Sequence, residues 1–229
     1  MRHLLPALMI ALSVSAEPAR PTAREALKPF NQLVGRWKGS GAPDGTPDQR
    51  QKGHWTETVA WEWQFKGDDA WLTVAFENGK HFTRGEVRAN PARDGFVLKL
   101  STPDKVVKEF AGAFKDRNLV FERADPAAKT VERLTVALLH DNRVTYRLET
   151  KPDRGTLWTK KYQVGLTKEG VAFADVGPAA NECIVSGGKG TMAVSHNGKT
   201  YYVCCSGCRD EFKADPEKYV KEWEAKRKK

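Results

Sequence analysis

All four cysteines of this 229-residue chain fall in one stretch near its C-terminus: Cys183, Cys204, Cys205 and Cys208. Cys183 and Cys204 stand 21 positions apart, and Cys204 and Cys208 four apart. Thiolates are soft donors, so a cluster of them selects Zn(II), Cu(I) or similar ions over Mg(II) or Ca(II). Between the outer cysteines, Asn197-Gly198 is a tight-turn signal, since both residues tolerate positive φ. It folds the segment around Met192–His196 back on Lys199–Val203. Cys204 leaves the second strand, and Ser206-Gly207 turns the chain into a helix beginning near Cys208. Two thiolates at such a strand-to-helix turn point at one centre, and a helix N-terminus favours the thiolate form there. Cys183, brought back by the hairpin, supplies the third sulfur. Two other chemistries are open to the same residues. Four cysteines in an exported chain pair as disulfides in three possible ways, although adjacent Cys204 and Cys205 do not bridge easily. Thiol exchange through Cys204-Cys205 is the other, without the Cys-x-x-Cys pair in a βαβ setting that usually carries it.

The string Gly198-Lys-Thr-Tyr-Tyr-Val-Cys204-Cys-Ser-Gly-Cys208, followed by Phe212 and Asp215-Pro-Glu-Lys-Tyr219, resembles the YHS/TRASH family of small metal-binding domains. Their pattern is one cysteine, about twenty residues, then Cys-x3-Cys. The resemblance covers roughly the last fifth of the chain and implies Cys183, Cys204 and Cys208 as ligands. Many members carry a second cysteine shortly after the first, where this chain has Ser186. The fourth ligand is therefore open among Cys205, His196, a water and a bound partner. His196 beside its turn reads equally well as a solvated hairpin residue.

The elements that hold this stretch begin far upstream. Residues 1–16 read as a secretory signal peptide: Arg2, an apolar run from Leu4 to Val14, and small residues at the Ala16 cleavage site. That run is too short to span a bilayer, and no later stretch approaches spanning length. The expectation is an exported, soluble mature protein, periplasmic or extracellular. Residues 17–32 read as a flexible start and a short helix capped by Thr22 and interrupted by Pro29, with Leu27, Phe30 and Leu33 on one side. From residue 33 to about 175 the pattern is β. Trp55, Val59, Trp61, Trp63 and Phe65 alternate with Thr56, Thr58, Glu62 and Gln64, and eight further short segments follow to residue 166 with turn residues between them. About ten antiparallel strands without a long helix predict an up-and-down barrel or a sandwich, with closure favoured because it removes sheet edges.

At the start of this region, Leu33-Val-Gly-Arg-Trp37-Lys-Gly-Ser-Gly41 resembles the opening of lipocalin-like (calycin) barrels, and of nitrobindin-type barrels that hold haem. Such barrels often carry a small apolar ligand in the lumen. Trp61, Trp63, Trp71, Phe121, Tyr146 and Trp158, with Phe76 and Tyr162, are the candidates to line one, although aromatics at alternating positions are more often core. Haem is disfavoured: His140 ends a strand run just before a turn, and His54 and His81 lie near strand starts.

Gly177-Pro178 breaks the composition, giving a linker at 176–182 and a module at 183–229. Asp215 and Pro216 open a last helix, whose Tyr219, Val220 and Trp223 cover either the hairpin or the barrel wall. A module of that size needs metal or docking for stability. The net charge of +9 is scattered among 29 acids, and its one dense run, Lys226–Lys229, has no aromatic interleaving, which argues against nucleic acid. No hydrolase, zinc-protease or phosphate-loop motif is complete; Ser186-Gly-Gly-Lys189-Gly reads as a turn. The reading is a lipocalin-like barrel followed by a small α+β metal module: an exported, non-catalytic protein that binds zinc or copper for sensing, buffering or trafficking, with a donor or acceptor protein as a possible partner. The alternative is a carrier of a small apolar molecule with the cysteines as a structural clip.

Overall fold

A computed structural model of the chain describes residues 21–91, 94–170 and 181–227. The signal-peptide reading of residues 1–16 and most of the 176–182 linker lie outside them.

The chain opens with a short helix α1 (Ala23–Ala26) and a 3-10 turn (Lys28–Gln32). Thr22 caps α1 through a reciprocal pair with Glu25, and the pyrrolidine of Pro29 sits in the first turn of the 3-10 segment, where no N–H is needed. Strand β1 (Gly35–Pro43) follows, then a helix α2 (Pro47–Gly53) that the strand pattern does not reveal. Its signal is local: Thr46 and Gln49 form a capping box with Pro47 at the first helical position. Nine more strands run in sequence order: β2 (Trp55–Lys66), β3 (Asp69–Glu77), β4 (Arg84–Ala89), β5 (Phe96–Ser101), β6 (Val107–Lys115), β7 (Asn118–Asp125), β8 (Thr130–His140), β9 (Arg143–Pro152) and β10 (Thr159–Lys168). Each pairs antiparallel with its neighbour in sequence, and β1 closes the circle by pairing with both β2 and β10. The barrel is closed and ten-stranded, as the alternation predicts.

Inward positions along β2 are Val59, Trp61 and Trp63, and they carry Glu57 in the same row. The end of the barrel nearest α1 is plugged by Phe30, whose ring meets Phe96 at 4.8 Å and Phe114 at 5.4 Å, both edge-on. Trp37 is buried in the same core cluster and donates its indole N–H to the Leu33 carbonyl at 2.7 Å. Toward the other end the interior turns polar. Glu57 is 2% exposed and accepts from the Trp55 indole at 2.8 Å and from the Tyr146 hydroxyl. Burial, reinforced by that carboxylate, pushes the Tyr146 phenol well above its usual range. Glu132 binds Lys108 at 2.8 Å and Arg123 at 2.7 Å.

Between these layers remains a cavity of about 30 Å³, lined by Trp61, Phe76, Phe82, Tyr146 and aliphatic side chains. A small-molecule site needs roughly 300 Å³ or more. The lumen candidates therefore divide. Trp61, Phe76 and Tyr146 line the small cavity, while Trp63, Phe121 and Tyr162 are buried core residues away from it. Trp71 and Trp158 do not face the lumen. Trp71 lies under the Arg88 guanidinium at 4.2 Å and Trp158 under Arg133 at 3.7 Å, on the outer wall. Cationic stems cover these indoles and supply the burial that an aromatic strand position otherwise finds inside.

His81 stacks flat on Tyr162, ring centroids 3.9 Å apart, and burial together with Lys80 and Lys108 lowers its pKa to about 4. The folded imidazole is thus neutral where the unfolded one, near 6.5, takes a proton. A folded pKa below the unfolded one gives stability that is complete above pH 6.5 and is lost as pH falls toward 4. We expect urea midpoints to fall over this interval and to fall less steeply in His81→Phe. An identical slope in that variant would mean that His81 is neutral and charged alike in both states.

Candidate metal centre

Past the barrel, the hairpin β11 (Met192–His196) and β12 (Lys199–Val203) turns at Asn197 and Gly198, both at positive φ, 49° and 72°. Two helices follow, α3 (Ser206–Ala214) and α4 (Pro216–Arg227). Helix α3 starts two residues earlier than the spacing implies, with Cys205 at its cap position and the Arg209 N–H bonded to the Cys205 carbonyl at 3.0 Å. Trp223 of α4 packs edge-on against Tyr201, so the last helix covers the hairpin.

Cys183 reaches the centre along a tight loop. Its N–H donates to the Gly188 carbonyl at 2.7 Å and its carbonyl accepts from Gly187 at 2.9 Å, while Ile184 bonds to the Tyr202 carbonyl at 2.9 Å. The loop is thereby laid alongside β12. Cys204 follows β12 directly, and Cys208 sits in the first turn of α3. The three sulfurs lie within 4.8 Å of one another, with Cys204 and Cys208 3.5 Å apart. All four cysteines are free thiols, so the disulfide pairing is not the arrangement adopted.

Cys205 stands at the edge of this trio: its sulfur lies 3.9 Å from that of Cys204 but outside the group in which all sulfurs are within 4.8 Å of one another. Its sulfur accepts the Trp63 N–H at 3.4 Å, a backbone donor on β2 just past Trp61, where the pairing with β1 ends. Cys205 thus joins module to barrel while its sulfur also borders the cluster at Cys204. His196 also stands apart, its ring edge-on to Phe212 at 6.3 Å. Beside the trio is Ser186. Its hydroxyl lies 3.4 Å from the Cys204 sulfur and accepts from Gly188 at 3.4 Å, and its N–H points at the Cys183 sulfur at 3.5 Å. Where the sequence pattern departs from a second cysteine, the fold thus sets a neutral hydroxyl against the Cys204 sulfur.

Crowding sets the protonation. Hydrogen bonds from Cys204 and Cys208 hold Cys183 well below the usual thiol range, whereas burial pushes Cys208 well above it. At Cys208 desolvation outweighs the helix N-terminus that favours its thiolate. The set matches a soft ion: buried sulfurs converging without a bridge, and two thiols, Cys183 and Cys205, held well below the usual range by hydrogen bonds from their sulfur neighbours. The centre opens at Cys204, which lines a groove of about 680 Å³ between the module and the plugged end of the barrel.

The module does not stand alone. Asn31 donates to the Ser186 carbonyl at 3.0 Å and accepts from the Trp63 indole at 3.0 Å, tying metal loop, plug and barrel together. Arg24 of α1 binds Glu222 at 2.7 Å and the Val185 carbonyl at 3.4 Å. The buried side chains of barrel and module form one continuous cluster. Among the described residues no helix is long and apolar enough to cross a membrane.

Compared with curated proteins, the chain finds no match. A family model does match its C-terminal part, over residues 189–223, which takes in Cys204 and Cys208 and begins just after Cys183. The protein is thus a closed ten-stranded barrel carrying, at its C-terminal end, a YHS domain.

Proposed function

We propose that the protein is an exported, non-catalytic binder of a soft transition metal, and that Cu(I) suits its site better than Zn(II). The observation that carries this reading is the buried, unbridged trio Cys183, Cys204 and Cys208. Structural zinc takes four firm ligands, whereas Cu(I) is content with soft thiolates in lower coordination. Ser186 offers a neutral hydroxyl where a fourth thiolate would stand, which weakens the site for zinc and leaves a bound ion exchangeable. Buffering or handing over of copper follows from an exchangeable site, and Cys204 at the groove is the sulfur that a donor or acceptor reaches. Export rests on the basic, apolar and small-residue segments of residues 1–16. The carrier reading draws no support from a luminal cavity of about 30 Å³.

The test is elemental analysis of protein isolated from its native compartment without chelators, with a free-thiol count. Stoichiometric copper and reduced thiols are expected. Stoichiometric zinc would turn the centre into a structural clip, and neither metal nor free thiols would overturn the reading.

A further inference from the structure

The groove at Cys204 is more than an opening. Cys183 and Cys208 are sealed at 1% and 0% exposure, and Cys204, at 9%, is the sulfur of the trio that faces outward. A volume of about 680 Å³ lies within the range of small-molecule sites. Its charged lining comprises Arg36, Asp141, Lys168, Glu169 and Lys189. Arg36 is spoken for: it binds Glu77 at 2.9 Å and Glu169 at 3.0 Å. Lys168 and Lys189 enter no ion pair among the described residues, and Asp141 at the turn between β8 and β9 is the lone carboxylate left within electrostatic reach of Lys168.

Lys168 is unusual in how it is held. Its stem passes Gly35, where a Cβ would come within 3.2 Å of Lys168 Cε, and its ammonium sits 5.0 Å from the Trp37 ring centroid. The fold thus keeps a half-buried ammonium against an indole, without a bonded counter-charge, beside the outermost sulfur of a thiol cluster. Holding a partly desolvated cation unpaired costs stability, and such groups concentrate where a charged ligand binds.

We propose that this groove is a docking port for an anionic complex of the soft ion, a small thiolate- or carboxylate-bearing chelate, which Lys168 and Lys189 receive and Cys204 relieves of its metal. This rests on the soft-metal reading above. The step is ligand exchange without change of oxidation state. The bond from Cys204 Sγ to the metal forms, the bond from a carrier donor atom breaks, and the Cys204 proton passes to the departing donor or to solvent. Cys183, held as thiolate, and Cys208, which gives its proton to the departing carrier or to solvent, then close on the ion from beneath as the carrier's remaining donor leaves.

The experiment follows copper transfer by stopped flow to the reduced full-length mature protein from two sources, the anionic Cu(I)–glutathione complex and the cationic Cu(I)–neocuproine complex. In Lys168→Glu/Lys189→Glu, transfer from the anionic complex should slow about tenfold or more, since focused charge of this kind changes encounter rates by 10 to 10³. Transfer from the cationic complex should hold or quicken, and raising the salt should shrink the difference. Equal rates from both complexes in variant and wild type, or equal slowing of both, would overturn the port. Lys189→Glu alone, at an exposed position, gives the same contrast should the double variant misfold. A wild type that takes copper from neither source would overturn the soft-metal reading together with the port, whereas a wild type that takes it from both without regard to charge overturns the port alone.

Discussion

Cys208→Ser should weaken Cu(I) binding by at least about 100-fold, while Cys205→Ser should leave it within about threefold. The two cysteines lie in one helical turn and are both buried, so neither sequence position nor burial separates them. Geometry does. Cys208 contributes to the trio whose sulfurs lie within 4.8 Å of one another, whereas Cys205, 3.9 Å from the Cys204 sulfur, falls outside that group and accepts the Trp63 N–H. Changing a residue that merely supports a ligand costs 10- to 100-fold in metal affinity, so loss of a ligand should cost at least the upper figure. Serine is too short and too hard to replace it. In Cys205→Ser the oxygen no longer reaches the β2 backbone as the larger sulfur does, and a buried donor is left weakly satisfied. The loss should appear in stability, at about 1 kcal/mol, the usual net value of one hydrogen bond. Competition against a chromophoric Cu(I) chelator gives the affinities, and urea unfolding gives the stability. Equal loss of affinity in the two variants would make Cys205 a ligand and dissolve the division between cluster and clip.

Much of the barrel is legible in the sequence because each strand pairs with its neighbour in the chain, so turn signals and period-two alternation carry the topology. The row Trp55, Val59, Trp61, Trp63 and Phe65 fixes which face of β2 is interior. The same row implies Glu57, which pattern reading passes over because a carboxylate is not expected in a core; only the fold shows the Trp55 and Tyr146 donors that satisfy it. The closing contact is not legible at all. Gly39 and Gly41 in β1 look like weak strand residues, yet a Cβ on Gly39 would lie 1.9 Å from the Gly165 carbonyl oxygen across the seam with β10. Glycine there is what close approach of two strands demands. Trp71 and Trp158 mislead for the opposite reason: hydrophobicity says that an indole is covered, not by what.

At the metal centre the legible part is again the local one. Three cysteines within a 26-residue stretch, a turn dipeptide and a strand-to-helix junction are enough to bring the sulfurs together. What holds the centre to the rest of the protein spans the chain. Asn31 meets Ser186 and Trp63 meets Cys205 across separations of 155 and 142 residues, and no spacing rule connects them. Ser186 is intermediate: the sequence marks it as the departure from the cysteine-rich pattern, and the fold puts its hydroxyl against Cys204.

Gly207→Val tests that long-range joint directly, and it should cost upward of 3 kcal/mol. A Cβ at Gly207 would lie 1.7 Å from the Trp63 carbonyl oxygen and 2.8 Å from its carbonyl carbon. Both are backbone atoms of a strand paired with β3, so no side chain can swing aside to make room. Overpacking a rigid interior costs typically 1–3 kcal/mol and more when backbone must move, and here the first turn of α3 must lift from β2. Cys205 would lose its hold on Trp63, and Cys208, in the same turn, would be drawn from Cys183 and Cys204. Stability and copper affinity should therefore fall together, with a change in tryptophan emission as Trp63 gains water. Gly67→Ala is the control: its Cβ would meet nothing within 4 Å, and its φ of 58° alone costs on the order of 1 kcal/mol. If Gly207→Val proves as mild as this control, α3 does not rest on β2, and the module binds its ion without the barrel beneath it.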